Sequence, residues 1–179
     1  MRRCARSVFT AVIITIVISI LGAASPVPSA RAAGTFRVFV PIASSPPSFW
    51  SPQELQAVDL INQHRRNVGC APVQLNIELG VAAKNHSRDM AEKNYFSHTG
   101  LDGSTYWQRA QAASYQYWAS GEIIGAGYTS GLEVVNGWMN SSGHRSIILT
   151  CNNDDIGIGF YSKSGSQWEH YWTAVFGQR

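Results

Sequence analysis

The signatures that would name a reaction outright are missing from this 179-residue chain. None of its histidines sits in H-E-x-x-H, so the zinc-peptidase helix is excluded. G-x-S-x-G is absent, which removes the nucleophile elbow of α/β-hydrolases. No glycine-rich loop carries a phosphate-binding lysine. Cysteine is scarce, at three residues with no C-x-x-C pair, so a structural zinc knuckle is excluded as well. No internal repeat is visible.

Positive charge is also scarcer than the net value of +3 implies. Arg2, Arg3 and Arg6 precede an apolar, β-branched run from Val8 to Leu21, and small residues with Ala30-Arg31-Ala32 follow it. Charge, apolar run and small residues in that order read as a secretory signal peptide over residues 1–33. The run is shorter than the ~20 residues that span a bilayer, so no stable transmembrane anchor is expected after cleavage. With those 33 residues removed, 10 basic residues face 11 acidic ones, a net charge of −1. A nearly neutral domain has no electrostatic footprint for nucleic acid. Residues 34–50, rich in Pro and Ser, read as a linker to a domain at 51–179.

Helix signals open that domain. Ser51, Pro52 and Glu54 form a capping box with proline at the first helical position, and the helix is expected to end near Gly69. Asn76 caps a second helix through Lys93, with Leu79, Ala82, Ala83, His86 and Met90 on its apolar face. His86 on that face reads as a hydrogen-bonded core histidine, and His64 beside Arg65 and Arg66 as solvent-facing. A short helix is expected from Ser104 to Ala113, and another after Ser130, with Glu133 completing a second capping box. Strands come late. Asp155–Tyr161 and Gln167–Phe176 alternate around a turn at Lys163–Ser166. Helices first and a hairpin last argue for an antiparallel sheet covered by helices. Trp107, Trp118, Trp138 and Trp172 read mainly as packing residues. Asn152–Asp155 reads as a turn rather than a calcium loop.

Cys70 and Cys151 remain after export, and two cysteines in an exported chain suggest one disulfide; two separate buried thiols are the alternative. The remaining polar points are isolated. His98, Glu122, His144 and His170 each interrupt a mostly uncharged run. Imidazole and carboxylate together can hold a divalent metal or pass a proton, but spacings this long assemble only by folding.

Several segments in order resemble bacterial CAP domains, the group of cysteine-rich secretory, antigen 5 and pathogenesis-related class one proteins. They are Leu60–Arg65, His86–Ala91, Phe96-Ser97-His98, Asp102-Gly103 with Arg109, Gly121-Glu122, Trp138–Leu149 and Tyr171–Gly177. The resemblance covers about Ser51 to Arg179. It implies an α+β fold, a three-layer α–β–α sandwich around a mainly antiparallel sheet. It also implies a central cleft holding His98, Glu122 and His144, able to take zinc or another divalent cation. His170, Ser141 and Trp138 are accessory cleft positions; the second glutamate of eukaryotic members falls near Ser141. Ile123 and Ala174 replace the family's usual Asn and Gln, which removes polar groups expected near the cleft. The cysteine positions also resemble a pair found in bacterial members. On this reading the protein is a secreted binding module for a small apolar or lipid-like ligand or an extracellular surface partner. A metal-assisted hydrolase or peptidase and an adhesive domain with a vestigial cleft are the alternatives, and no catalytic residue is assigned.

Overall fold

The computed structural model describes residues 49–179. The signal-peptide reading, and the linker except for its last two residues, lie outside them. In chain order the elements are α1 (Pro52–Asn67), β1 (Gln74–Leu75), α2 (Ile77–Lys93), α3 (Tyr106–Ala112) and β2 (Trp118–Ala126). Then follow α4 (Gly131–Asn140), α5 (Ser142–Ile148), β3 (Asp155–Ser162) and β4 (His170–Gln178).

The caps act as their chemistry requires. Ser51 accepts from the Glu54 amide while Glu54 Oε2 accepts from the Ser51 amide, and Asn76 accepts from the Leu79 amide. Glu54 is buried, so its carboxylate does more: it pairs with Lys84 at 2.6 Å and accepts from the Phe160 amide, tying α1 to α2 and β3. The Ser130 box is half-formed. Ser130 accepts from Glu133, but the Glu133 carboxylate turns to Thr129 instead.

The sheet order is β1-β3-β4-β2, with β1 parallel to β3 and the other pairs antiparallel. Side-chain alternation divides it into two faces. Ile156 and Ile158 of β3, Trp172, Ala174 and Phe176 of β4, and Ile123 of β2 pack on α1 and α4. The opposite face packs under α2 and α3, where Leu79, Ala83 and Ala110 meet Val175, and Met90 meets Tyr171 and Ile124. Helices therefore cover both faces, the α+β sandwich expected. Gly157 and Gly159 let α2 lie directly on β3: a Cβ at either position would collide with the α2 backbone at Leu79–Gly80 or Lys84.

Three expectations are corrected. First, β1, β2 and α5 exist where no element is expected, so helices and strands are not segregated along the chain. Second, Arg65 is fully buried, not solvent-facing with its neighbours. Its guanidinium donates to five main-chain carbonyls, those of Ala71, Ile148, Thr150, Cys151 and Asn153. Third, Trp107 and Trp118 are exposed, at 41% and 65%, whereas Trp138 and Trp172 are core. Cys70 and Cys151 are joined in a disulfide beside the Arg65 cluster. The 152–155 turn uses its side chains internally: Asn153 Oδ1 accepts from Ser120, and Asp155 accepts from Tyr115 and Arg179. Phe49 and Trp50 stack edge to face under Lys84, with Trp50 against Gly80, so the end of the linker reading packs on α2.

Candidate functional site

The site begins at Glu122. Its position on β2, opposite Val175, turns its side chain to the α2/α3 face, where it is 4% exposed. A buried carboxylate needs partners, and both oxygens have one. Oε2 accepts from Arg109 at 2.7 Å, and Oε1 lies 2.9 Å from Nδ1 of His98. With a guanidinium on one oxygen the carboxylate accepts on the other, so Nδ1 of His98 is the donor. Nε2 of that imidazole is left facing outward, and the His98 side chain is 52% exposed. Arg109 also donates to the His98 and Ser104 carbonyls, locking α3 to the 98–104 loop. His86 lies behind this group, with Nε2 2.9 Å from the Ser97 carbonyl. It is the core histidine expected, and burial pushes its imidazole below the usual range.

His144, on α5, comes close enough for the charge of His98 to depress its imidazole, after the larger effect of burial. It lines a pocket of about 310 Å³ together with Phe96, Tyr128, Trp138, Ser141, Trp168 and the β2 segment Ile124–Ala126. That volume is at the lower end for small-ligand sites. A larger, polar hollow of about 520 Å³ lies between α2 and α3. It shares Arg109 but contains neither His98 nor Glu122.

His98 and Glu122 are hydrogen-bonded to each other, while His144 lines the aromatic pocket with Trp138 and Ser141. Trp138 also donates from Nε1 to the Ile124 carbonyl. His170 is elsewhere: it stacks on Phe160, 5.9 Å between ring centroids, on the opposite sheet face from Glu122. Ile123 and Ala174 are likewise not at the cleft. They are cross-strand partners in the α1/α4 core, both fully buried, so the two replacements are one apolar pair. Arg109 had no role assigned from sequence, although it stands in a segment carrying the resemblance. Trp168 gave no signal at all, because its position depends on the β3–β4 turn.

A direct zinc set of His98, Glu122 and His144 does not fit this arrangement. Both Glu122 oxygens are engaged, one by a cation, and among the described residues no three His, Cys, Asp or Glu side chains are grouped to hold a metal ion. Glu122 stands where an outer partner of an imidazole stands, orienting the ring through Nδ1.

A helix-covered mixed sheet with a His–Glu–Arg cleft at its β2 edge defines a CAP-type sandwich. The profile described as CAP, the cysteine-rich secretory protein family, matches residues 58–176, and the chain belongs to that family. It is 38% identical over 125 residues to YkwD of Bacillus subtilis (strain 168), covering 70% of this chain and 48% of that protein. It is 33% identical over 114 residues to the membrane protein YlbC of the same organism, covering 64% of this chain and 33% of the relative. The chain therefore spans half or less of these two relatives. Among solved structures, an extracellular SCP-domain protein of Bacillus anthracis superposes with a TM-score of 0.65 at 28% identity, covering 75% of this chain and 45% of that one. An outer surface protein of Borrelia burgdorferi shares the fold, with a TM-score of 0.62 at 24% identity, covering 68% of this chain and 89% of that one. No helix among the described residues is long and apolar enough to cross a membrane.

Proposed function

We propose that this chain is an exported binding module whose cleft captures an apolar group of a small ligand or of an extracellular surface partner. The observation that carries the reading is an aromatic pocket lined by His144 and by Ile124 of β2, two residues along the strand from a buried carboxylate that accepts on both oxygens. Aromatic walls supply apolar contact area with few competing polar groups. His144 and the free Nε2 of His98 supply polar contacts for orientation. A general base needs a lone pair within reach of a substrate proton, and Glu122 is buried with each oxygen already accepting a hydrogen bond. The hydrolase alternative would therefore rest on the exposed imidazole of His98 rather than on Glu122. Zinc or another divalent cation is left with two imidazoles, His98 and His144, and no carboxylate, fewer than the three protein ligands of a catalytic zinc site.

The test is a titration with the apolar dye 1-anilinonaphthalene-8-sulfonate, followed by quenching of tryptophan fluorescence. Saturable quenching is expected. Ser141→Trp fills the rim without removing a cap bond, since the Ser141 side chain makes none, and should abolish it. Unchanged quenching in that variant would move the ligand site elsewhere.

A further inference from the structure

We infer that the hollow between α2 and α3 is a second binding site, and that it takes a neutral, polyhydroxylated ligand of the size of a mono- or disaccharide. The site is separate from the aromatic pocket and does not depend on what that pocket holds.

The hollow has a volume of about 520 Å³, within the range of small-ligand sites, and its polar lining includes Asn85, His86, Asp89, Asp102, Gln108 and Arg109. His86 is its buried wall, at 1% exposure. Nε2 of that ring faces the Ser97 carbonyl, which can only accept, so Nε2 carries the proton. Burial disfavours the charged ring, which leaves Nδ1 with a lone pair. Nδ1 is buried and has no hydrogen-bond partner among the described residues. Buried polar atoms are almost always paired, and an unpaired one is costly. The missing partner is a donor, and the hollow is where one can enter.

The other lining groups decide what kind of donor. Charge is matched within the protein: Arg109 pairs with Glu122 and Asp89 with Lys93, so neither calls for an ionic ligand. Asp102, exposed, repels an anion. What remains is a mixture of uncommitted donors and acceptors. Gln108 Oε1 is taken by the Thr105 amide and hydroxyl, so its NH₂ is left to donate. The Asn85 side chain makes no hydrogen bond among the described residues, so it offers both a donor and an acceptor. An ammonium only donates and a carboxylate only accepts, whereas a hydroxyl does both. Several hydroxyls on one neutral framework therefore answer the whole set. No aromatic side chain lines the hollow, which sets it apart from the pocket of Trp138 and Trp168. Asn85, Arg109 and Ala112 also line an adjoining recess of about 160 Å³, completed by Val81, Ala82 and Ala113. Those small apolar side chains suit the C–H face of a sugar ring.

The test is nuclear magnetic resonance of the nitrogen-15-labelled secreted protein, titrated with maltose, cellobiose and lactose. With at least one of these sugars the His86 Nδ1 resonance is expected to move upfield, as a ring nitrogen does when it accepts a hydrogen bond. The side-chain amide signals of Asn85 and Gln108 should follow the same saturation curve. Asn85→Trp narrows the hollow at an exposed position whose side chain bonds to nothing in the fold, and should weaken sugar binding roughly tenfold or more. Dye quenching at the aromatic pocket should stay at the wild-type level in that variant. Saturable sugar binding that leaves the His86 nitrogen unmoved overturns the proposal, whether or not Asn85→Trp folds. Tighter binding of ethanolamine or acetate than of any of the sugars overturns it too, because the occupant is then ionic. No sugar-dependent shift at all has the same consequence. The dye reports the aromatic pocket separately, so each of these failures leaves the binding-module reading standing.

Discussion

Arg65 is the residue whose structural importance its composition conceals. In sequence it is one of two adjacent arginines at a helix end, next to a histidine, and such a cluster belongs to a solvated face. In the fold it is fully buried and holds five carbonyls from two separate segments. Only the 70–71 and 148–153 segments coming together could reveal that, and their meeting is a tertiary event. Arg65→Met leaves these carbonyls unpaired, so a loss of about 3 kcal/mol or more is expected in urea unfolding. A loss below about 1 kcal/mol would mean that water replaces the guanidinium. At the cleft, the histidines and Glu122 were legible through family resemblance, not spacing. The engagement of both Glu122 oxygens was not legible, because it depends on where α3 lands. His86 gives a pH prediction at the same scale. Burial, the largest cause, lowers its pKa in the folded state, so below the unfolded value of about 6.5 the unfolded chain binds the extra proton. This contribution to stability is complete above that pH and is lost as pH falls from about 6.5 toward the depressed folded value. Denaturation midpoints measured from pH 7.5 to 5 should fall, and His86→Gln should flatten that part of the profile.

At the scale of elements, capped helices were readable and the edge of the sheet was not. Ser51 and Asn76 mark α1 and α2 to within a residue, because capping is local chemistry. β2 reads Trp-Ala-Ser-Gly-Glu-Ile-Ile-Gly-Ala, with two glycines and a buried charge in place of β-branched alternation. Its pairing with β4 and the Arg109–Glu122 contact hold it in place, and neither is local. α5 starts Ser-Gly-His and lacks a side-chain cap bond, so nothing in its sequence announces a helix. The two glycines of β3 did look like strand alternation, but their purpose is the close approach of α2. Gly159→Ala puts a methyl group against the Ala83–Lys84 backbone, which cannot yield as a side chain would. A destabilisation of about 2–3 kcal/mol or failure to fold is expected, as for overpacking. Wild-type melting behaviour in that variant would refute the direct α2–β3 contact.

At the scale of the whole molecule, export and oxidation belong together. The Cys70–Cys151 bond links the end of α1 to the turn before β3 across 81 residues of sequence, and a loop of that size favours stabilisation in the chain-entropy model. On the export reading, protein from the culture medium should begin near Ala33 or Gly34 and yield Cys70 and Cys151 in one linked peptide under non-reducing mapping. Replacing both cysteines with serine should lower stability by ~2–5 kcal/mol. Two free thiols in freshly secreted protein would contradict this. The sandwich itself was legible as a family pattern, and helices on both sheet faces follow from it. The aromatic pocket was not, because Phe96, Tyr128 and Trp168 come from three separate loops that only the closed fold brings beside Trp138.

Capture without turnover at the His98–Glu122–His144 cleft is the central claim. Native mass spectrometry of the secreted protein, incubated with a peptide mixture whose components are followed over time, tests it most directly. The predicted result is a one-to-one adduct of an intact ligand, absent in Ser141→Trp, with every component of the mixture uncut. Cleavage products that accumulate with the wild type and vanish with His98→Ala or Glu122→Gln would contradict it and make the cleft an active site.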